Sequence, residues 1–404
     1  MKLKLMSVLA ACFALAACDN NGTGTLDPNP DTVSFALAVA GRGEVTERYT
    51  SEVAAAGEWV YTGTWSTRAT RGNALKIWNT AAAGAPVLRD SIIVTGAGTL
   101  GDVQISQDGT LLVVPVESGG AVNGIYIYDR TNPARPTLLG QFTATSTRSG
   151  VHTVKLGTVN NRHYAFLSID PPARLVIVDI TDPRSPVQVL ERAMGNPYVH
   201  DVFVRDGLLF TALWDDGVTI WDIGGGNRGG SPAAPVQISN VIPVNGNVHN
   251  VHWFHDPTTS SKRYAFIGEE VPTGVPFGQK GSSAGDIHVL DVSNLAAPRE
   301  VAFFHVDSAG VHNFAVDEQS GILYAAYYNA GVRALDIRGD LGNCTASQRA
   351  PDGRCDLGLM KRERGTALTD RVVFIWGVAL QGNALYASDM LSGVWRIDIT
   401  PLKR

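Results

Sequence analysis

Four histidines recur at one position of a repeated strand pattern in this chain, which has 404 residues and nine histidines. Alignment of the repeats places one residue from each repeat in a single column. The column reads, in chain order, Ser51, Gly101, His152, His200, His249, His312 and Trp376. Imidazole nitrogens bind zinc, copper, iron and nickel, and three or four of them around an open coordination position could activate water or dioxygen. The four histidines of the column are therefore candidate ligands of Zn, Cu or Fe.

The position that follows the histidine column is polar in six of the seven repeats. It reads Glu52, Asp102, Thr153, Asp201, Asn250, Asn313 and Gly377. Carboxylates that bond to a ligating histidine hold its ring in place, so Asp102 and Asp201 are candidates for this supporting role. Zinc binds nitrogens at only about 2.0–2.1 Å, which restricts the donors to adjacent repeats. Two sets meet that restriction, namely His152, His200 and His249, or His200, His249 and His312.

The histidine column also has a structural interpretation. A histidine bonded to a neighbouring backbone group or aspartate can tie one repeat to the next, and duplication would copy it without any metal. Three of the seven repeats lack the histidine. No Ser, Cys or Lys lies in a recognisable nucleophile signature. The sequence therefore leaves open whether the chain is an enzyme.

Acidic residues gather near the ends of the second strands of several repeats. They are Glu117, Asp170, Glu269, Glu270 and Asp389. They could ring one face of the propeller. Carboxylates on loops are usually solvated, because burying them without a partner is costly, and we expect solvated acids here.

The repeats are defined by a strand phrase whose clearest copy is Leu175-Val176-Ile177-Val178-Asp179. Seven segments match it, at 74–79, 124–129, 174–179, 217–222, 286–291, 331–336 and 393–398. An apolar run with β-branched residues is typical of a strand covered on both faces. In four copies a proline seven residues after the terminal Asn or Asp marks the turn. Two strand-like runs precede the phrase and one follows it, which indicates four antiparallel strands in each repeat.

Four short strands repeated seven times, without helical periodicity between them, predict an all-β, seven-bladed β-propeller. The last repeat ends near Arg404 without a fourth strand, whereas the run from Val33 to Ala40 has no partner of its own. We therefore predict that this N-terminal run is the outermost strand of the seventh blade. It would close the ring and remove both open edges. Residues 33–404 are expected to form this single domain.

The phrase from Leu175 to Asp179 resembles the repeat of the LVIVD-repeat proteins, which are exported or surface-anchored bacterial and archaeal β-propellers, mostly of unassigned function. The resemblance covers roughly residues 45–400. It implies a propeller fold and attachment at the cell surface, and it implies no particular activity.

The N-terminus has the features of an export signal. Lys2 and Lys4 form a positive region ahead of an apolar run at 5–17. That run is too short for a membrane span and is typical of a signal peptide. Export would place the rest of the chain in an oxidising compartment.

The residues Leu15-Ala16-Ala17-Cys18 resemble a bacterial lipobox. The resemblance implies a lipoprotein signal peptide at 1–17 and lipidation of Cys18. A polar stretch follows, and residues 18–32 are expected to comprise the lipidated cysteine and a flexible tether. The alternative is an ordinary signal peptide cleaved nearby, with Cys18 incidental. The lipobox predicts a lipid-anchored protein of the cell envelope, facing the periplasm or the exterior, in a membrane that the sequence does not specify.

Two further cysteines, Cys344 and Cys355, lie in a loop-like insertion of the sixth repeat. In an exported chain such a pair predicts a local disulfide. A two-thiolate metal site is the alternative, but it lacks partner ligands nearby in the sequence.

The charge of the chain limits the function classes. The net charge is −5 and the basic residues are scattered, which excludes a nucleic-acid groove. The sequence thus predicts a membrane-anchored binding or scaffold protein whose partner is an envelope protein or a small molecule. The alternative is a metal-dependent oxidoreductase or hydrolase with the histidine site at the mouth of the central channel.

Overall fold

The computed structural model of the chain describes residues 34–194 and 197–403. Within these ranges, seven antiparallel sheets with four principal strands each follow one another along the chain. The predicted all-β, seven-bladed propeller is confirmed. The predicted signal peptide, Cys18 and the tether lie outside the described residues. No helix in those two ranges has the length and apolar character needed to cross a membrane.

Each blade has an inner strand, a second strand, a third strand and an outer strand. The inner strands are Tyr49–Ala56, Gln104–Ile105, Val151–Val159, Asp201–Arg205, Val248–Trp253, Phe314–Asp317 and Ile375–Gln381. The second strands are Trp59–Trp65, Leu111–Val116, Arg162–Ile169, Leu208–Ala212, Tyr264–Glu269, Ile322–Ala326 and Ala384–Asp389. The third strands are Ala74–Asn79, Gly124–Asp129, Arg174–Asp179, Val218–Asp222, Ile287–Asp291, Val332–Asp336 and Gly393–Asp398. The outer strands are Val87–Ile93, Thr137–Phe142, Val187–Ala193, Val236–Val241, Arg299–Phe304, Glu363–Ala367 and Val39–Glu44.

Short elements extend this pattern. Phe35–Ala36 and Cys355–Asp356 add parallel strands to blades 6 and 5, and Val271–Pro272 pairs with Ser283–Ala284 in a separate hairpin. Single 3-10 turns are Gly120–Val122, Thr145–Thr147, Ala346–Gln348 and Thr400–Leu402.

The N-terminal strand closes the ring, as predicted, but it is a later segment than the predicted run 33–40. Val39–Glu44 pairs antiparallel with Gly393–Asp398 as the outer strand of blade 7. Phe35–Ala36, inside the predicted run, pairs instead with blade 6. A Cβ atom on Gly43 would lie only 2.5 Å from the Trp78 ring of blade 1. The small residues of the later segment therefore allow the close contact that closure requires.

The repeated phrase is apolar on both faces because its alternate residues enter two different cores. Leu175 and Ile177 pack into a cluster shared with blade 4, and Val176 and Val178 pack into a cluster shared with blade 2. Full burial of such a side chain contributes about 1.5–3 kcal/mol. The cores therefore lie between blades, and no blade is stable without its neighbours.

The acid or amide that ends each phrase caps the turn after it. In all seven blades its side-chain oxygen accepts the backbone N–H of the residue two positions later, at 2.8–3.4 Å. This is the Asx-turn geometry that Asn and Asp favour. The capping residues are Asn79, Asp129, Asp179, Asp222, Asp291, Asp336 and Asp398.

The predicted disulfide between Cys344 and Cys355 is present. It lies in the insertion between the third and outer strands of blade 6. Arg354, next to Cys355, forms an ion pair with Glu300 on the outer strand of blade 5. The disulfide therefore supports a contact between two neighbouring blades.

Candidate metal and ligand site at the channel mouth

The residues of the histidine column lie side by side at the start of consecutive inner strands. From His152 through His200, His249 and His312 to Trp376, neighbouring ring centroids are 3.9–4.4 Å apart. The five rings form a continuous arc that spans blades 3 to 7 at one mouth of the central channel.

His200, His249 and Glu270 bring three ligand atoms together within this arc. The Nε2 atoms of His200 and His249 lie 3.7 and 3.6 Å from Oε2 of Glu270. His249 is only 2% exposed, and among the described residues neither of its ring nitrogens has a hydrogen-bond partner. This group is the strongest candidate for holding an ion.

Two aromatic residues with unusual backbone angles hold this group in place. The Tyr328 hydroxyl donates a hydrogen bond to Oε1 of Glu270, and the Trp214 ring stacks on His200 with 5.3 Å between centroids. Their φ angles are 40° and 54°, a left-handed conformation that bulky residues rarely adopt. Such strain persists where the surrounding structure enforces it, often beside functional groups.

His152 lies in a second group with Glu117 and Asp170. Its Nδ1 is 3.2 Å from Oε1 of Glu117 and 3.9 Å from Oδ1 of Asp170, while its Nε2 is 3.1 Å from Nε2 of His200. Burial disfavours the imidazolium, but the nearby carboxylates, Glu117 first, outweigh it and raise the pKa of His152 to about 9. Burial, reinforced by Glu117, raises the pKa of Asp170 to about 7.

The other three histidines have lowered pKa values, and burial is the main cause. Burial and nearby His152 and His312 hold the pKa of His200 well below its usual range. Burial and the neighbouring histidines do the same for His249. Burial lowers the pKa of His312 to about 4, although Glu270 opposes it. All three are therefore neutral at neutral pH, the form of imidazole that binds metal.

His312 ties two blades together, as the structural interpretation of the column requires. Its Nδ1 donates a hydrogen bond to the backbone carbonyl of Trp376 in blade 7, at 2.6 Å. It lies outside the two groups of converging ligand atoms.

Asp102 and Asp201, predicted to support the histidines, lie on the next layer of the channel. Asp102 accepts the backbone N–H of Val154 in the adjacent blade at 3.0 Å. Asp201 accepts the backbone N–H of Val202 at 2.8 Å and lies 3.7 Å from the Lys155 ammonium. No hydrogen bond or ion pair joins either carboxylate to a column histidine in the described ranges. The structure thus places both where they hold inner strands together.

The acids that face the histidines are Glu117, Asp170 and Glu270, which the sequence predicted to be solvated. Each is the first residue after a second strand, in blades 2, 3 and 5. The second strand runs antiparallel to the inner strand, so this position returns to the mouth where the histidines lie. Their shared register was the signal in the sequence that could have identified them.

Two adjoining cavities open at this mouth. One of about 480 Å³ is lined by His152, His200, His312 and the three acids. The other, of about 750 Å³, has six aromatic residues in its largely apolar wall. These are Tyr49, Trp65, Phe277, Tyr328, Phe374 and Trp376. Glu270 and Trp376 line both cavities.

An insertion in blade 5 forms one side of the aromatic cavity. Residues 270–286 separate the second and third strands there, whereas the other blades use three to eight residues. Phe277 of this insertion lies 4.7 Å from Phe374 of blade 7 and 6.1 Å from Tyr49 of blade 1, between ring centroids. The insertion therefore reaches across the mouth to the blades that close the ring.

One blade carries a recognised repeat. Residues 164–191 match the LVIVD repeat. The chain is a seven-bladed β-propeller that carries an LVIVD repeat in blade 3. The match spans the second and third strands of blade 3 and most of its outer strand, and it excludes the inner strand that carries His152. The matched repeat therefore belongs to the strand framework of blade 3, and His152 lies outside it.

Solved structures show the same architecture. The chain superimposes on Sqt1 of Saccharomyces cerevisiae with a TM-score of 0.55 and 10% identity, over 91% of this chain and 86% of that one. For the C-terminal WD40 domain of Sif2 the TM-score is 0.52 and the identity 14%, over 87% and 81%. No curated protein matches the chain. At these identities the likeness establishes the fold alone.

Proposed function

We propose that this propeller is a binding protein of the bacterial cell envelope that holds a small ligand at the channel mouth. The observation that carries this proposal is the aromatic cavity of about 750 Å³ beside the histidine and acid cluster. Sites for small molecules are typically concave and mostly apolar, with a few converging polar groups, and occupy about 300–1,000 Å³.

The lining of the two cavities indicates the kind of ligand. The rings of Tyr49, Trp65 and Phe374 offer apolar faces to a flat or apolar body. Glu270 and His200 offer polar atoms at the adjoining end. An amphipathic small molecule, apolar at one end and polar at the other, fits this arrangement. The ring of His249, which has no hydrogen-bond partner in the part of the chain that the structure describes, favours a second candidate function, metal-dependent chemistry on that ligand.

Replacing Phe277 with alanine is expected to weaken binding of an apolar probe about tenfold, or roughly 1.4 kcal/mol. Phe277 contacts Tyr49, Trp65 and Phe374 in the cavity wall but is itself 40% exposed, so its loss removes ligand contacts rather than core packing. Fluorescence titration with anilinonaphthalene sulfonate, read through the tryptophans of the cavity, measures the change.

Leu138→Ala is the matched control for this experiment. Leu138 is an exposed apolar residue on the outer strand of blade 2, away from the mouth, and its replacement should leave probe binding unchanged. Equal affinities for the wild type and Phe277→Ala would show that the aromatic cavity is not the binding site.

The predicted membrane anchor has its own test. Replacing Cys18 with alanine is expected to move most of the protein from the membrane fraction to the soluble fraction, because the acyl chains would supply its membrane affinity. Immunoblotting of fractionated cells measures the distribution. Cys12→Ala, within the predicted signal peptide, should leave the protein with the membranes. A Cys18→Ala protein that still sediments with membranes would refute the lipid anchor.

A further inference from the structure

His249 buries both ring nitrogens without a hydrogen-bond partner among the described residues. A neutral imidazole has one N–H donor and one acceptor nitrogen, and leaving such groups unpaired in the interior is costly. The nearest carboxylate oxygen, Oε2 of Glu270, lies 3.6 Å from Nε2, which is longer than a hydrogen bond. An unsatisfied buried group of this kind indicates a partner that the protein side chains do not supply.

The structural interpretation of the column does not account for this ring. If the histidines only tied blades together, the copy in blade 5 would repeat the bond of the copy in blade 6. His312 does donate its Nδ1 proton to the Trp376 carbonyl of the next blade. His249 makes no such bond within the described part of the chain. Duplication therefore explains the presence of His249 but not its surroundings.

The separations around His249 suit a tetrahedral ion. Ligand atoms about 2.0–2.1 Å from zinc at tetrahedral angles are about 3.3–3.4 Å apart. Nε2 of His249 and Nε2 of His200 lie 3.6 and 3.7 Å from Oε2 of Glu270. Shifts of a few tenths of an ångström would bring each imidazole nitrogen to the separation from Oε2 that one ion requires. Nε2 of His200 also lies 3.1 Å from Nε2 of His152, and the ion would replace that contact.

We infer that His200, His249 and Glu270 bind one divalent transition-metal ion of the zinc type at the channel mouth. Two imidazoles and a carboxylate form the donor set of many catalytic zinc sites, in which a fourth position stays open. His200 and Glu270 line the cavity of about 480 Å³, so that position faces the cavity. The Tyr328 hydroxyl bonded to the other oxygen of Glu270 orients the carboxylate.

The metal site deepens the proposed function by naming what recognises the polar end of the ligand. The fourth position would accept water or an oxygen donor on the small molecule, whose apolar body would lie against the aromatic rings. Only this ligand preference rests on the proposed function; metal binding by the three side chains is independent of it.

Titration of the chelator-treated full-length protein with Co²⁺ and then Zn²⁺ tests the inference. Visible absorption reports tetrahedral Co²⁺ with nitrogen and oxygen ligands, and calorimetry gives the stoichiometry and affinity. The expected result is one ion per chain, with Zn²⁺ displacing Co²⁺. A wild-type protein that binds neither ion stoichiometrically would overturn the inference.

Variants locate the ion. His249→Gln and Glu270→Gln are expected to weaken binding on the order of 100-fold or more, whereas His163→Gln, at an exposed histidine of blade 3, should bind like the wild type. Because His249 makes no hydrogen bond to any other described residue, His249→Gln should fold, and circular dichroism without metal checks this. If it does not fold, Glu270→Gln, which can keep the Tyr328 contact, decides the outcome. Wild-type affinity in a folded variant of either ligand would refute the site.

The second group at the mouth supplies a further test. The double variant Glu117→Gln/Asp170→Asn should retain the ion. If this variant loses the ion while the His249 and Glu270 variants keep it, the ion lies beside His152 and the inference is overturned. The apolar probe separates the two proposals. A protein that binds the probe but not Co²⁺ would refute the metal site and support the aromatic cavity. A protein that binds Co²⁺ but not the probe would refute the aromatic cavity and support the metal site.

Discussion

Replacing His288 with leucine is expected to lower the free energy of unfolding by about 3–5 kcal/mol. His288, on the third strand of blade 5, is fully buried, and its ring nitrogens lie 2.8 Å from Glu300 and 3.3 Å from Glu269. Burial opposes its protonation, but the two carboxylates raise its pKa to about 9. Leucine would leave Glu269 buried without this counter-charge. Urea unfolding at pH 6.5 measures the difference.

The effect of this substitution should depend on pH. The folded-state pKa of His288, about 9, lies above its ordinary value of 6.5. The stabilising contribution is therefore complete below pH 6.5 and is lost as the pH rises through 9. The difference in unfolding free energy between the wild type and His288→Leu should shrink across this interval. A difference that stays constant or grows would show that the charge of His288 does not stabilise the fold.

His305→Leu provides the control for charge. His305 also pairs with a carboxylate, Asp286, at 2.7 Å, but its side chain is about half exposed. Pairs with an exposed partner contribute less than buried ones, so this variant should lose less stability than His288→Leu, although Asp286 itself is only 15% exposed. The comparison measures how the cost of removing a histidine from a carboxylate depends on the burial of the histidine.

The sequence predicted the blades well because each third strand satisfies the same local rules. Alternate residues such as Val176 and Ile177 must all be apolar because they face two different cores, and Asp179 must cap its turn. Those rules leave a pattern that repeats seven times. The closing strand follows no such rule. Its register depends on how Gly43 fits against Trp78, two residues that are distant in the sequence.

The candidate site was predictable only in part for a similar reason. The histidines share one register position, so alignment brought them together. Glu117, Asp170 and Glu270 also share a register position, which could have identified them, but each begins a loop of different length, and acids on loops are usually solvated. Phe277 reaches the site from an insertion that only blade 5 has, and no repeat predicts where an insertion will lie.

Removing residues 1–45 is expected to prevent the chain from folding as a stable monomer. The deletion takes away Val39–Glu44, whose residues form five ladder pairs with Gly393–Asp398, and the buried side chains of Leu37 and Val45. At about 1 kcal/mol for each hydrogen bond and about 1.5–3 kcal/mol for each buried side chain, the loss is roughly 10 kcal/mol. The whole stability of a domain is about 5–15 kcal/mol. Size-exclusion chromatography and thermal unfolding measure the outcome.

A chain that begins at residue 34 is the control, because it keeps every contact of the closing strand and should remain monomeric and folded.

Two point variants test the contact between the closing strand and blade 1 with a smaller change. Gly43→Val places a side chain against the Trp78 ring and should cost about 1–3 kcal/mol through overpacking. Ala40→Val creates the same side chain at an exposed position of the strand and should cost almost nothing. Two results together would contradict the prediction: a Gly43→Val variant as stable as the wild type, and a folded monomer of the chain that begins at residue 46. They would show that the ring holds together without its N-terminal strand.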